Sequence, residues 1–178
     1  MRIRPRPFLP RIGPAGNGLT GAAWPPHGTG RTMSGRRRGF ARKEARMDLG
    51  LGGKAALVTA SSTGLGRAVA VALGREGARV MLCARSAEKL GEAVREVERA
   101  GGEAHAFCCD LTDSTSIDAA LAEAAKRFGG VDVLVTNSGG PPPGMLGDIA
   151  EEAWRTAADS LLFSVIRLAR GVLPHMKE

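Results

Sequence analysis

The sequence contains no tyrosine, only three cysteines and few aromatic side chains, which make up 4% of its 178 residues. Without tyrosine, the chain has no phenol that could act as a proton donor. The cysteines form no Cys-x-x-Cys pair and no histidine-rich cluster is present, so neither a disulfide framework nor a metal site is predicted. No segment approaches the roughly 20 apolar residues of a membrane span, and no apolar signal-peptide core follows the N-terminal charges. We expect a cytoplasmic protein, because cysteines in apolar, strand-like segments fit a reducing compartment.

Basic residues are concentrated in the first 46 positions. Residues 1–46 hold 11 basic side chains and one acidic one, whereas residues 47–178 hold 14 basic and 17 acidic ones, so the net charge of +7 arises in this leader. Frequent proline and glycine predict disorder there. The leader could be an arm for nucleic acid or an anionic surface, an organelle transit segment, or sequence outside the native coding region. We predict the last, with no nucleic-acid partner and one domain over residues 47–178 that begins at Met47.

A glycine-containing turn follows the first apolar run. Residues 59–66 read Thr-Ala-Ser-Ser-Thr-Gly-Leu-Gly, after the apolar run 55–58 and before a helical stretch. This order predicts a strand, a turn and a helix, which lets the backbone approach a pyrophosphate while the helix N-terminus receives its negative charge. A plain strand-to-helix connection built from small residues is the alternative. We expect a dinucleotide site whose contacts include Thr59, Ser61, Ser62, Thr63, Gly64, Leu65 and Gly66.

The charge after the second strand-like segment favours NADP over NAD. Arg85 stands 19 residues after Gly66, where an NAD-specific fold carries an acid for the ribose 2′-hydroxyl. A guanidinium there suits a 2′-phosphate, because it offers paired donors and stays charged. The hydroxyls of Ser86, Ser61 and Ser62 are expected to donate to the same phosphate. The alternative is an exposed arginine near the next helix start.

Strand-like and helical segments alternate along most of the chain. Apolar, strand-like runs lie at 55–58, 78–83, 103–109 and 131–136, and helical segments lie at 64–74, 87–100, 114–128 and 151–177. Parallel neighbours need crossovers, and strands buried on both faces are apolar throughout, so this alternation predicts an α/β fold with a parallel sheet. Right-handed crossovers then give a Rossmann-type, doubly wound sheet.

These ordered motifs resemble the short-chain dehydrogenase/reductase family over roughly residues 48–178, about three quarters of the chain. Thr59, Gly64 and Gly66 fit its TGxxxGxG signature, with Ala60 in place of the first glycine. The chain looks like the 3-oxoacyl-acyl-carrier-protein reductases of this family. The resemblance implies an NADP-dependent oxidoreductase that transfers hydride between NADPH and a carbonyl or alcohol substrate.

Two later motifs extend the resemblance to the rest of the cofactor site. Asp110-Leu111-Thr112 resembles the family's adenine-side motif, which implies that Asp110 and Leu111 contact the adenine. Asp110 could instead cap the helix that follows, a role that Asp113 and Ser114 could equally fill. The segment 137–140 resembles the family's NNAG element, which implies that Asn137, Ser138 and Gly139 lie beside the cofactor ribose.

The residues that carry this family's chemistry are missing. The resemblance implies a catalytic serine, a Tyr-x-x-x-Lys pair and an asparagine, but tyrosine is absent, and counting from Trp154 puts Leu161 at the asparagine position. Serine and threonine hydroxyls ionise too weakly to replace a tuned phenol. His105 and His175 are expected to be structural. We therefore predict no catalytic residue in this chain, and a non-catalytic nucleotide-binding or interaction module is the alternative function.

The resemblance also implies an incomplete sheet. The family's sheet has seven strands in the order 3-2-1-4-5-6-7, and only the first four are found here, which implies a chain truncated after the cofactor-binding half. The segment 131–136 would then be an unpaired apolar edge, and such an edge invites pairing with another chain. We expect self-association.

Overall fold

The computed structural model describes residues 47–178, and the predictions made for the leader lie outside these residues. The strands are β1 (Ala55–Thr59), β2 (Arg79–Ala84), β3 (Glu103–Cys108) and β4 (Val133–Val135). They form one parallel sheet in the order β3-β2-β1-β4. The helices are α1 (Gly64–Arg75), α2 (Ala87–Arg99), α3 (Ser114–Phe128), α4 (Glu151–Ala158) and α5 (Ser164–Met176), and a π-helical turn at Asp159–Phe163 joins α4 to α5.

Helices cover both faces of this sheet. Leu57 and Met81 point to one face, where they belong to a buried cluster with residues of α3 and α5. Their neighbours Val58 and Val80 point to the other face and belong to a cluster with residues of α1 and α2. Because side chains alternate along a strand, burial on both faces explains the continuous apolar runs of β1 and β2. The predicted Rossmann-type, doubly wound α/β fold is confirmed.

Local capping signals set the starts of α2 and α3 at the carboxyl edge of the sheet and the end of α3 at the opposite edge. Ser86 caps α2 by accepting a hydrogen bond from the backbone N–H of Lys89, and Asp113 caps α3 by accepting one from the backbone N–H of Thr115. Gly129 ends α3 with a φ of 83°, in the left-handed region. Asp113 therefore takes the capping role that was an alternative for Asp110.

Strand β4 is shorter than predicted. It spans Val133–Val135, whereas the apolar run predicted residues 131–136. The carboxylate of Asp132 accepts hydrogen bonds from the backbone N–H of Ala55 at 2.7 Å and from Nζ of Lys54 at 3.0 Å. These bonds hold the pKa of Asp132 below its ordinary value. The strand starts late because this side chain occupies the N–H of Ala55, which a longer ladder would use.

The predicted last helix, 151–177, is helical over residues 151–176 but contains a π-helical turn. The π-helical turn divides it, and side-chain hydrogen bonds to the helix backbone accompany the wider turn. The hydroxyl of Ser160 donates to the carbonyl of Ala157 at 3.1 Å, and the hydroxyl of Ser164 donates to the carbonyl of Ser160 at 2.6 Å. Apolar periodicity continues through the turn, so the sequence pattern did not reveal it.

Two surfaces of the described part have no covering element: one edge of β4 and a set of apolar helix side chains. As predicted, β4 is an edge strand, since it pairs with β1 and with no other strand of residues 47–178. The second surface, here called the apolar helix surface, consists of five side chains with exposed fractions between 41% and 54%: Leu161, Leu162, Phe163, Ile166 and Leu173.

No helix in this part of the chain is long and apolar enough to cross a membrane.

The three cysteines differ in exposure. Cys83 and Cys109 are buried, whereas Cys108 is exposed. Cys108 is the last residue of β3, and its side chain points away from the cluster that holds Cys83 and Cys109.

Candidate cofactor site

A cleft of about 490 Å³ lies along the carboxyl edge of the sheet. Loops after all four strands reach it, because the carboxyl ends of parallel strands share one edge. The predicted site residues that line it are Ser62, Thr63, Arg85, Ser86, Asp110, Leu111, Ser138 and Gly139. The remaining lining residues are Ala60, Ala84, Lys89, Cys109, Thr112, Gly140, Thr156 and Ser160.

The turn between β1 and α1 is closely packed. Gly64 has a φ of 57°, in the left-handed region that favours glycine. A Cβ on Gly66 would lie 2.5 Å from the carbonyl oxygen of Ala60 and 2.8 Å from Nδ2 of Asn137. Ala60 itself has a φ of 45°, although it carries a side chain. The glycines at 64 and 66 are therefore required by the shape of the turn.

Helix α1 begins without a side-chain acceptor for its first N–H groups. Its N-cap, Thr63, makes no side-chain capping hydrogen bond, and no acidic residue lies in the first turn. The first N–H groups of a helix lack partners within the helix, and the helix dipole adds positive charge there. Since Thr63 lines the cleft, the start of α1 can receive an anion from it.

Thr59 and Asn137 join the ends of β1 and β4. The hydroxyl of Thr59 donates to the carbonyl of Asn137 at 2.6 Å and accepts from its backbone N–H at 2.9 Å. The side-chain amide of Asn137 donates to the carbonyl of Ala60 at 3.3 Å. This amide therefore ties the end of β4 to the turn that follows β1. Thr59 is buried, so its side chain does not line the cleft and acts by holding the backbone of Asn137 in place.

The Ser61 hydroxyl does not face the cleft. It is buried and donates to the carbonyl of Val58 at 2.9 Å. The prediction that this hydroxyl contacts a phosphate is therefore wrong, because the turn directs it into the protein. Leu65 is 73% exposed and is not among the residues that line the cleft.

Two cationic side chains line the cleft at the end of β2. Arg85 makes no hydrogen bond or ion pair with any described residue, and neither does the ammonium group of Lys89. Between them, Ser86 accepts from the backbone N–H of Lys89 at 3.4 Å, which leaves its O–H free to donate. Lys89 was not predicted. Its position, four residues after Arg85 in the first turn of α2, is the signal that could have identified it.

Asp110 lines the cleft beside the β3 end with one carboxylate oxygen available. Its Oδ1 accepts from the backbone N–H of Thr112 at 2.9 Å and from the hydroxyl of Thr112 at 2.8 Å. These bonds, together with the charge of Arg85, hold the pKa of Asp110 below its ordinary value. The carboxylate is therefore ionised near neutral pH. Its Oδ2 makes no hydrogen bond within residues 47–178, which leaves an acceptor for a ligand N–H group.

Helix α4 and the π-helical turn add two hydroxyls that the sequence analysis missed. Thr156 and Ser160 line the cleft on the β4 side, where Ser138 and Gly139 also lie. Both hydroxyls donate to carbonyls of their own helix, from Thr156 to Glu152 at 2.9 Å and from Ser160 to Ala157 at 3.1 Å. Their oxygens therefore present acceptor lone pairs. The four-residue spacing of the two hydroxyls was the available signal, because residues four apart lie on the same face of a helix.

The lining of the cleft offers no side chain suited to donate a proton near neutral pH. Cys109 lines it, but burial raises the pKa of its thiol. His105 lies elsewhere, with Nε2 3.2 Å from Glu103 and its ring against Phe128. His175 is packed against the backbone of Gly130. Leu161, at the position where the resemblance implied an asparagine, lies in the π-helical turn and does not line the cleft.

Comparison with known proteins agrees with this architecture. A family model described as short chain dehydrogenase matches residues 54–178. The 3-oxoacyl-acyl-carrier-protein reductase FabG of Escherichia coli is 36% identical over 124 residues, which cover 70% of this chain and 50% of the reductase. The chain spans about half the length of the curated relatives it matches, with 45% of a Streptomyces coelicolor relative covered.

Solved structures share the fold. L-sorbose reductase from Gluconobacter frateurii, complexed with NADPH and L-sorbose, is 36% identical with a TM-score of 0.71, over 74% of this chain and 50% of that chain. An NADH-dependent reductase complexed with NAD is 30% identical with a TM-score of 0.67, over 72% of this chain and 54% of that chain. The strand order, the glycine turn and the matched range lead to one family. The chain belongs to the short chain dehydrogenase family.

Proposed function

We propose that this chain binds NADP(H) across the cleft and serves an oxidoreductase that transfers hydride between NADPH and a carbonyl or alcohol substrate of the 3-oxoacyl type. The observation that carries the cofactor assignment is Arg85, a cleft-lining guanidinium without a hydrogen-bond or ion-pair partner among the described residues. Relatives of the same fold are complexed with either NADPH or NAD, so the fold leaves the choice open. An arginine at the end of β2 favours the 2′-phosphate.

The other parts of the cofactor have matching positions along the cleft. The start of α1, without a side-chain acceptor, would hold the pyrophosphate. Asp110 would accept from the adenine amino group through its free oxygen, and Ser138 and Gly139 would lie beside the ribose. When bound, NADPH supplies a hydride. The residues described here would bind and orient it, and the proton that the carbonyl oxygen must also gain would come from outside the set of side chains that line the cleft.

A non-catalytic nucleotide-binding module is the second candidate. It is favoured by the absence of tyrosine from the sequence and by the buried, weakly acidic thiol of Cys109, the one thiol that lines the cleft. A module of this kind would bind the dinucleotide without turnover. Reduction of a 3-oxoacyl thioester by the chain with NADPH would rule this candidate out.

Two proposals concern how the chain works with others. We propose that it supplies the cofactor-binding half of the activity, which the match to about half the length of its relatives supports. We also propose self-association, which the unpaired edge of β4 and the apolar helix surface support. An exposed strand edge offers unused backbone donors and acceptors, and exposed apolar side chains favour burial.

The cofactor assignment is tested by titrating the full chain with NADPH and with NADH. We expect tighter binding of NADPH, and we expect Arg85→Glu to weaken it at least about tenfold while NADH binding is retained, because one charge-assisted phosphate contact is lost. Arg95→Glu is the matched control, since Arg95 is exposed on α2 and does not line the cleft. Equal affinities for the two cofactors in folded wild-type protein would contradict the assignment.

A further inference from the structure

We propose that Lys89 is a second specificity residue for the cofactor, and that with Arg85 it holds the 2′-phosphate, a phosphate monoester dianion. This inference rests on the proposed function. Lys89 is the third residue of α2 and lines the same part of the cleft as Arg85 and Ser86. Its ammonium group has no hydrogen-bond or ion-pair partner among residues 47–178.

The acids that could neutralise Lys89 along α2 are occupied elsewhere. Glu92, one turn further along the helix, has its Oε2 3.5 Å from Arg67. Glu96 in the following turn pairs with the same arginine at 2.6 Å. Residues three or four apart on a helix are the ones that pair, so Arg67 of α1 takes away the nearest i+3 partner of Lys89. The positive charge of Lys89 therefore stays available at the cleft.

The charge of this corner matches a phosphate monoester. Arg85 and Lys89 contribute two positive charges, and the start of α2 adds the positive end of its dipole. Asp110 is the carboxylate that lines the cleft, and its Oδ1 is held by Thr112. A phosphate monoester carries roughly −1.5 to −2 charges at neutral pH. The ribose 2′-hydroxyl of NAD carries none, so the pair of cations discriminates between the two cofactors.

Arginine and lysine would act differently on this phosphate. The planar guanidinium of Arg85 can donate two parallel hydrogen bonds to two phosphate oxygens. The ammonium group of Lys89 is a compact charge on a flexible stem, and it can approach the phosphate from the helix side while the Ser86 hydroxyl donates between them. Loss of either cation leaves the other, so the two contributions are separable by mutation.

The test is to titrate the full chain and Lys89→Gln with four ligands. NADPH is compared with NADH, and 2′,5′-adenosine diphosphate with 5′-adenosine monophosphate, because each pair differs at the 2′-phosphate. We expect Lys89→Gln to weaken both 2′-phosphorylated ligands roughly five- to twentyfold, in the range of one charged hydrogen bond, and to change the other two less than twofold. Lys89→Arg should keep most of the affinity.

Lys126→Gln is the matched control, because Lys126 is exposed on α3 and does not line the cleft. Unchanged NADPH binding in Lys89→Gln, with the wild type still preferring NADPH, would overturn the inference and leave the proposed function standing. An equal loss for all four ligands would also overturn it, since Lys89 would then contact a part that they share. A wild type without any preference for 2′-phosphorylated ligands would refute both the proposed cofactor and the inference. Circular dichroism checks that each variant is folded.

Discussion

The carboxyl edge of the sheet and the side of the molecule beyond β4 are built in opposite ways. At the carboxyl edge, Thr59, Ala60 and Asn137 satisfy each other's hydrogen bonds, and Gly66 fits between them without room for a methyl group. Beyond β4, a strand edge is unpaired and the apolar helix surface is exposed. The first region is complete within the described residues, and the second offers surface for other polypeptide to cover.

This contrast separates two questions about function. Cofactor binding depends on a region whose hydrogen bonds are formed, so its geometry can be tested in the chain as it stands. Catalysis depends on a proton donor and on residues that hold the substrate. The cleft lining on the β4 side presents hydroxyl oxygens of Ser138, Thr156 and Ser160 but no acid suited to neutral pH. Mutations at the carboxyl edge should therefore change stability and cofactor binding, whereas mutations beyond β4 should change association.

The largest effect is expected from Gly66→Ala. The added Cβ would lie 2.5 Å from the carbonyl oxygen of Ala60 and 2.8 Å from Nδ2 of Asn137, so backbone must shift. We expect a loss of about 2–3 kcal/mol in the free energy of unfolding, measured by urea denaturation, together with loss of NADPH binding. Gly91→Ala is the control, because its Cβ would lie 3.8 Å from the nearest atom, in Arg95. Similar unfolding curves for the two variants would refute the tight fit.

A smaller effect is expected from Thr59→Val. The change removes the hydroxyl that donates to the carbonyl of Asn137 and accepts from its N–H, leaving both backbone groups without that partner. We expect a loss of about 1–3 kcal/mol in the free energy of unfolding, because unsatisfied buried polar groups cost that much. Thr59→Ser keeps the hydroxyl and should stay close to the wild type. If Thr59→Ser is destabilised while Thr59→Val stays close to the wild type, the methyl group and not the hydrogen bonds holds the strands together.

The smallest effect on stability is expected from Leu162→Lys on the apolar helix surface. Leu162 is 54% exposed, so the free energy of unfolding of the monomer should change by no more than about 0.5 kcal/mol. Self-association, measured by sedimentation equilibrium, should decrease, because a charge replaces an apolar contact. Ala122→Lys on the exposed side of α3 is the control. Association that persists unchanged in Leu162→Lys would point to the edge of β4 instead.

The sequence predicted those parts of the fold that local signals determine. The limits of α3 were predicted as 114–128, because Asp113 caps its start and Gly129 ends it. The interior strands β1 and β2 were identified from their continuous apolar runs, which burial on both faces requires. The start of β4 was less predictable, because the side chain of Asp132 takes a backbone N–H from the first residue of β1.

The parts of the site that were missed depend on side-chain direction. Ser61 and Ser62 are adjacent serines in one turn, yet the hydroxyl of Ser61 is buried on Val58 while Ser62 lines the cleft. Sequence spacing cannot distinguish them where Ala60 adopts a positive φ. Lys89 was overlooked because the sequence around an exposed helical lysine does not show whether the neighbouring acids already pair with another residue. The distant partner of those acids, Arg67, became apparent with the packing of α1 on α2.

The hydrogen bonds between Thr59 and Asn137 also affect when the site can form during synthesis. Its two residues are 78 positions apart in sequence, so the glycine turn cannot be fixed until β4 has been made and has docked beside β1. At a synthesis rate of about 5–20 residues per second, the ribosome needs roughly 4–16 s to travel between them. During that interval the strand–turn–helix segment that carries the family signature exists without the residue that completes its shape. A nascent chain therefore completes the turn that holds a dinucleotide late, when its fourth strand arrives.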